Sequence, residues 1–262
     1  MRSKIKLIPF VLMVVMTICW STVQISWIIE KHPNYVLRYC TIDKNNIRDY
    51  DNLIENGISQ VQKFFNAAYK HQFYINIHPD RHSLDSTWQK DWNMPDFKSE
   101  CWMVGSGVAN KLDIISPKRW DSESCEHKYS EIKKTQQLIT HELVHVFHGQ
   151  LNSSPDFSGT EGIDWFVEGL ATYVSGQCDS IVILEIKEAI SNKKIPVHLD
   201  EFWTGKLRYG LSGSAVLFID KKYGRDIIKN LLPFNKKTEI LNSLKISESE
   251  FLHEWQELIK EL

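Results

Sequence analysis

Two histidines spaced by three residues bracket a glutamate in the run His141-Glu142-Leu143-Val144-His145, and Glu168 follows about 23 positions later within Trp165-Phe166-Val167-Glu168-Gly169-Leu170-Ala171. On a helix, residues i and i+4 share a face one turn apart, so both imidazoles can address one metal ion. Glu142 is rotated by roughly 100° from His141, out of the ligand set and toward a water on that ion. With Glu168 as third ligand, two neutral imidazoles and one carboxylate leave zinc with net positive charge and an open fourth position, which brings the pKa of a coordinated water toward neutrality. A carboxylate beside that water can take its proton. No cysteine flanks these segments, so a closed thiolate site is not indicated. The chemistry implied is hydrolysis of an amide.

The positioning elements can be read around these residues. Residues 135–148 have helical periodicity, with Leu138, Leu143, Val144 and Phe147 apolar, and Gly149 is expected to cap the helix. A second helical stretch carries Glu168, continues its apolar face through Tyr173 and Val174, and stops at Gly176. Between them, residues 150–162, with Pro155, Gly159 and several Ser and Asp, read as a loop. Upstream, residues 35–41 read as a strand, 46–69 as an amphipathic helix and 73–78 as a second strand. Residues 107–116, with Val108, Leu112, Ile114 and Ile115, read as one further strand ending at Pro117. From Pro196 onward the pattern is helical. Ser247 to Glu250 offers a capping box, after which Phe251, Leu252, Trp255, Leu258, Ile259 and Leu262 form one stripe.

HELVH followed by WFVEGLATY resembles the gluzincin branch of the zincin metallopeptidases, whose second helix presents a glutamate from a W-x-x-E-G-x-A-x-Y pattern. Thermolysin-like and M1-aminopeptidase-like enzymes belong to that branch, and short peptidase MA-like proteins are similar to this chain in size. The resemblance implies an α+β zincin fold, thermolysin-like and two-lobed, in which an N-terminal mixed sheet and active-site helix (residues 31–149) face a C-terminal helical lobe (150–262). It implies one zinc per chain held by His141, His145 and Glu168, with Glu142 as catalytic base. It also places an edge strand beside the cleft, so that Gly105-Ser106-Gly107-Val108-Ala109-Asn110 is expected to line it, with Gly107, Val108, Ala109 and Asn110 contacting substrate; an ordinary glycine-containing turn before a strand is the equal alternative. The aminopeptidase form of that segment carries a glutamate, which this chain lacks, and an endopeptidase is the better expectation. Tyr209, in Arg208-Tyr209-Gly210, resembles the residue that stabilises the oxyanion, with packing at a domain seam as the bland alternative and His198 as a competing candidate.

The chain has 262 residues and a formal net charge of -2, which gives no electrostatic case for nucleic acid. Arg2, Lys4 and Lys6 precede a stretch without formal charge over residues 7–29, long enough to span a bilayer core. A cleavable signal peptide and an uncleaved signal anchor both fit residues 1–30; the lack of an A-x-A site favours the anchor. Either arrangement puts the catalytic part outside the cytoplasmic membrane. Besides Cys19, the four cysteines Cys40, Cys101, Cys125 and Cys178 permit three pairings. Cys101 with Cys125, bracketing the edge strand, is preferred, which leaves Cys40 with Cys178. The expected partner is a peptide or protein substrate. A zinc hydrolase of a non-peptide amide, and a tethered zinc-binding protein without turnover, are the two other readings.

Overall fold

The computed structural model describes residues 26–262. Five strands form one mixed sheet: β1 (Trp27–Lys31), β2 (Tyr35–Cys40), β3 (Phe73–His78), β4 (Gly105–Val108) and β5 (Lys111–Ile115), in the order β1-β2-β3-β5-β4. The three central strands run parallel, and β1 and β4 pair antiparallel at the two edges. Parallel neighbours need crossovers. Here these are α1 (Ile47–Phe65) between β2 and β3 and α2 (Arg81–Asp91) between β3 and β5. Next come α3 (Trp120–Glu123), α4 (Ile132–Gly149), α5 (Asp164–Val174), α6 (Ser180–Ser191), α7 (Arg208–Tyr223), α8 (Arg225–Leu231), α9 (Lys237–Leu244) and α10 (Glu248–Glu261). The fold is therefore α+β, with ten α-helices among the described residues.

Each sheet face has its own cover because side chains alternate along a strand. Ile75, Ile77, Leu112 and Ile114 project to the face where Tyr50 and Ile54 of α1 and Ile139 of α4 meet them. The other face lies under α2 and is polar: Asp113, 1% exposed, accepts from Asn76 Nδ2 at 2.6 Å and pairs with Lys111 Nζ at 2.7 Å and His78 Nε2 at 3.3 Å. Burial opposes charge on Asp113, but His78 and Lys111 outweigh it and hold the carboxyl below the usual range. Asp80 caps α2 by accepting from the Ser83 N–H at 2.8 Å. The helical half has an aromatic core in which Phe202 meets Trp255, and Phe251 meets Trp165 and Phe218. Phe251, Leu252, Trp255 and Ile259 of α10 are buried, and each such side chain contributes on the order of 2 kcal/mol.

Several sequence expectations are corrected. The stretch 107–116 is a hairpin, not one strand: β4 starts at Gly105, and Ala109-Asn110 turn the chain into β5. Asn110 supplies a turn that apolar periodicity does not register. Gly149 remains helical and abuts Ala109 and Pro155. Helix α1 stops at Phe65 because Asn66 adopts φ 45°, a left-handed terminator. Cys101 and Cys125 form a disulfide. Cys40 and Cys178 do not pair: Cys40 is buried at the end of β2, whereas Cys178 follows α5 and packs against Gly213 of α7. The positive start and most of the apolar stretch 7–29 lie outside the described residues, while Trp27–Lys31 is a sheet strand. Among the described residues no helix is long and apolar enough to cross a membrane.

Candidate active site

Helix α4 is buried along most of its circumference, and its apolar residues Leu138, Leu143, Val144 and Phe147 hold the backbone while His141 and His145, each 6% exposed, point together. Gln136 Nε2 fastens it to α1 through the Leu53 carbonyl at 2.8 Å. Trp165, Phe166 and Leu170 bury the opposite side of α5, leaving Glu168 to face α4. Gly169 allows α5 to meet α7: a Cβ there would overlap the Ser212 backbone carbonyl.

The three ligand atoms converge. His141 Nε2 and His145 Nε2 are 3.1 Å apart, and Glu168 Oε2 lies 3.3 Å and 3.6 Å from them. A triangle with those edges has a point about 2 Å from all three corners, the length of a Zn–N or Zn–O bond. The donor set therefore fits a divalent transition metal. His32, Asp51 and Glu55 also approach one another, but Glu55 is exposed and the Tyr35 hydroxyl already donates to Asp51. Burial disfavours charge on Glu168, yet the two imidazoles prevail and hold its carboxyl well below the usual range. For His145 burial pulls the pKa down, and the Glu168 carboxylate more than reverses this. A divalent cation in the same place would displace the imidazole proton and bind neutral imidazoles together with the Glu168 carboxylate.

A residue not foreseen in the sequence fixes one imidazole. Gln177 Oε1 accepts from His141 Nδ1–H at 2.8 Å, leaving the Nε2 lone pair directed at the ligand point. Gly176, at φ +78°, turns the chain after α5, and Gln137 Nε2 donates to its carbonyl at 2.6 Å. His148, one turn beyond His145, is not a ligand: it is fully buried and its Nε2 lies 3.2 Å from the Leu232 carbonyl.

A cleft of about 380 Å³ opens over the triad, within the range of small-ligand and peptide sites. It is lined by β4, Glu142, Trp203 and Tyr209 among others. Gly107 brings β4 against α4, since a Cβ there would overlap the Glu142 carbonyl oxygen and come within 3.1 Å of His145 Cβ. Of the stretch expected to line the cleft, Gly105, Ser106, Gly107 and Val108 border it. Ala109 and Asn110 do not; they form the hairpin turn, where the Ala109 N–H donates to the Pro155 carbonyl and the Asn110 carbonyl accepts from Tyr74. Tyr209 lies in the first turn of α7, its ring centroid 6.2 Å from that of His141. Burial, then the negative charge of Glu168, pushes its phenol up to about 12, so it is a proton donor at neutral pH. His198 stands outside the cleft, largely exposed and 3.9 Å from Glu248.

No family model matches the chain, and no curated protein matches it. Among solved structures, native yeast LTA4 hydrolase is similar in fold, with a TM-score of 0.50 and 14% identity over 90% of this chain and 38% of that one. This chain thus spans well under half the length of that hydrolase. The likeness concerns the fold, and it accords with a zincin-like arrangement of sheet and helices.

Proposed function

We propose that this chain is a zinc-dependent peptidase of gluzincin type, with one zinc per chain, that hydrolyses peptide bonds by glutamate-assisted attack of water outside the cytoplasmic membrane. One observation carries the reading: His141 Nε2, His145 Nε2 and Glu168 Oε2 converge on a single point beside Glu142, in a cleft bordered by a sheet-edge strand. Zinc held there supplies Lewis acidity toward water and toward a carbonyl oxygen. Every other role falls to side chains of the protein. Glu142 takes the proton lost by the attacking water and hands it to the leaving amine nitrogen. Tyr209 donates to the oxygen of the carbonyl under attack, where charge develops. Gln177 holds the His141 tautomer.

Among the described residues strand β4 pairs with β5 on one side only, so its second edge is available to an extended peptide, which would add as another strand. No acidic residue occurs in the Gly107 to Asn110 stretch, which supports endopeptidase over aminopeptidase action. The Cys101–Cys125 disulfide supports an oxidising compartment, in keeping with a membrane-held or secreted catalytic part.

The test is a zinc analysis together with digestion of a peptide library by the full-length protein in detergent. Wild type is expected to carry one zinc and to cut peptides, and Glu142→Gln to keep the zinc while losing activity by about 10²- to 10⁴-fold. Wild-type protein that takes up no zinc, or a Glu142→Gln variant that still cuts, would overturn the proposal.

A further inference from the structure

We infer that Asp164 makes this cleft select a substrate carrying a cationic nitrogen, an ammonium or guanidinium, close to the bond that is cut. The inference rests on the peptidase reading for the identity of the substrate, but the selecting site is defined by the chain's own residues. Asp164 opens α5 and precedes Glu168 by four residues, so the two side chains leave one helix face from Cβ atoms about 6 Å apart. Both line the same cleft. Asp164 is exposed to solvent there, and among the described residues its carboxylate forms no ion pair and accepts no hydrogen bond.

Two other acids of the cleft are committed elsewhere: Glu168 belongs to the ligand triad and Glu142 to proton transfer. Asp156 is oriented by its own loop, its Oδ1 accepting from the Ser158 N–H at 3.1 Å and the Ser158 hydroxyl at 2.8 Å, and adds a further negative charge to the cleft. Among the described residues no lysine or arginine lines the cleft, and the two charges of a bound zinc would be matched by Glu168 and Glu142, so Asp164 is not offset. Nearby Asp200 is matched by Lys237 at 2.7 Å, so that lysine is already engaged. Arg208, at the Tyr209 end, stacks on Trp102, Trp203 and Tyr209 and makes no ion pair with Asp164. Trp92, Phe157 and Trp203 add aromatic faces to the lining, which suit an alkylammonium or guanidinium better than an anion.

A basic side chain and a free terminal amine offer the same chemistry, so the test separates them. Peptides with lysine or norleucine scanned on either side of the cut bond, each with a free or acetylated N-terminus, are compared in two assays. One measures kcat/KM with the zinc-loaded full-length protein; the other measures Kd on the Glu142→Gln protein, which needs no turnover. Cationic peptides are expected to be favoured about tenfold in both assays. Asp164→Asn should abolish the preference, read within each protein as the ratio of cationic to norleucine, acetylated peptide, and added salt should shrink that ratio. A preference that follows lysine assigns the side chain, and one that follows the free terminus assigns the amine. Equal treatment of all peptides, a preference that survives Asp164→Asn, or no binding of either class overturns the inference. Asp164-dependent binding without any cleavage would instead remove the peptidase reading and leave cation selection standing.

Discussion

His141 Nδ1 and Gln177 Oε1 meet at 2.8 Å, which ties the helix carrying His141 and His145 to the loop that leaves the helix carrying Glu168. Rotation of the His141 ring would break this bond, so the loop after α5 sets the orientation of an imidazole on α4. Gln177→Ala is expected to weaken zinc affinity by about 10- to 100-fold, with Gln177→Glu restoring it because a carboxylate accepts the same Nδ1 proton. Competition against a chelator of known affinity measures this. Equal affinity in all three proteins would reduce Gln177 to a loop residue.

Tyr209 keeps its ring contacts with His141 and Trp203 when only the hydroxyl is removed. Tyr209→Phe is therefore expected to lower kcat by about 10²- to 10³-fold while KM and zinc content stay near wild type. Steady-state kinetics separates the parameters. A change confined to KM would mean that the hydroxyl binds substrate without assisting the chemistry.

The disulfide closes a loop of sequence separation 24 that contains both strands of the hairpin at the cleft. Arg81 reinforces it by donating to the carbonyls of Glu100, Cys101, Met103 and Glu123 on both sides of the bridge. Replacing Cys101 and Cys125 with serine is expected to cost about 3 kcal/mol in urea unfolding. Disulfide mapping by mass spectrometry should find this bridge and no link between Cys40 and Cys178. Unchanged stability in the double variant would leave Arg81 alone as the fastening of this segment.

The convergence of His141, His145 and Glu168 is legible because helical pitch makes i, i+4 spacing a statement about direction, and Glu168 sits in a helix whose apolar face is unambiguous. Strand β3 was legible for the same kind of reason, its alternation standing between two polar turns. Helix α2 was not, since Arg81, Asp85, Lys90 and Asp91 surround only two buried apolar residues, Leu84 and Trp88. The hairpin of β4 and β5 was read as continuous because Val108 and Leu112 are apolar on either side of a two-residue turn. Pairing Cys40 with Cys178 by elimination failed because an even count carries no distance. Gln177 and Asp164 depend on a loop closing back on α4 and on a cleft between distant segments, relations that periodicity does not encode.

His148 gives the site a pH-sensitive neighbour with a defined sign. It is fully buried between Phe157 and Phe166, and burial first, then the proximity of His145, pushes its pKa down to about 3. In the unfolded chain the same imidazole titrates near 6.5. Between those values the unfolded state binds the proton and the folded state does not, so acid favours unfolding. The stabilisation is complete above about pH 6.5 and declines as pH falls toward 3. His148→Gln keeps an amide that can donate to the Leu232 carbonyl and removes the titration. In chelator, so that metal release does not contribute, wild type is expected to lose up to about 3 kcal/mol more than the variant between pH 6.5 and 4. Urea unfolding at a series of pH values reads the difference, and parallel curves for the two proteins would assign the acid sensitivity to other groups.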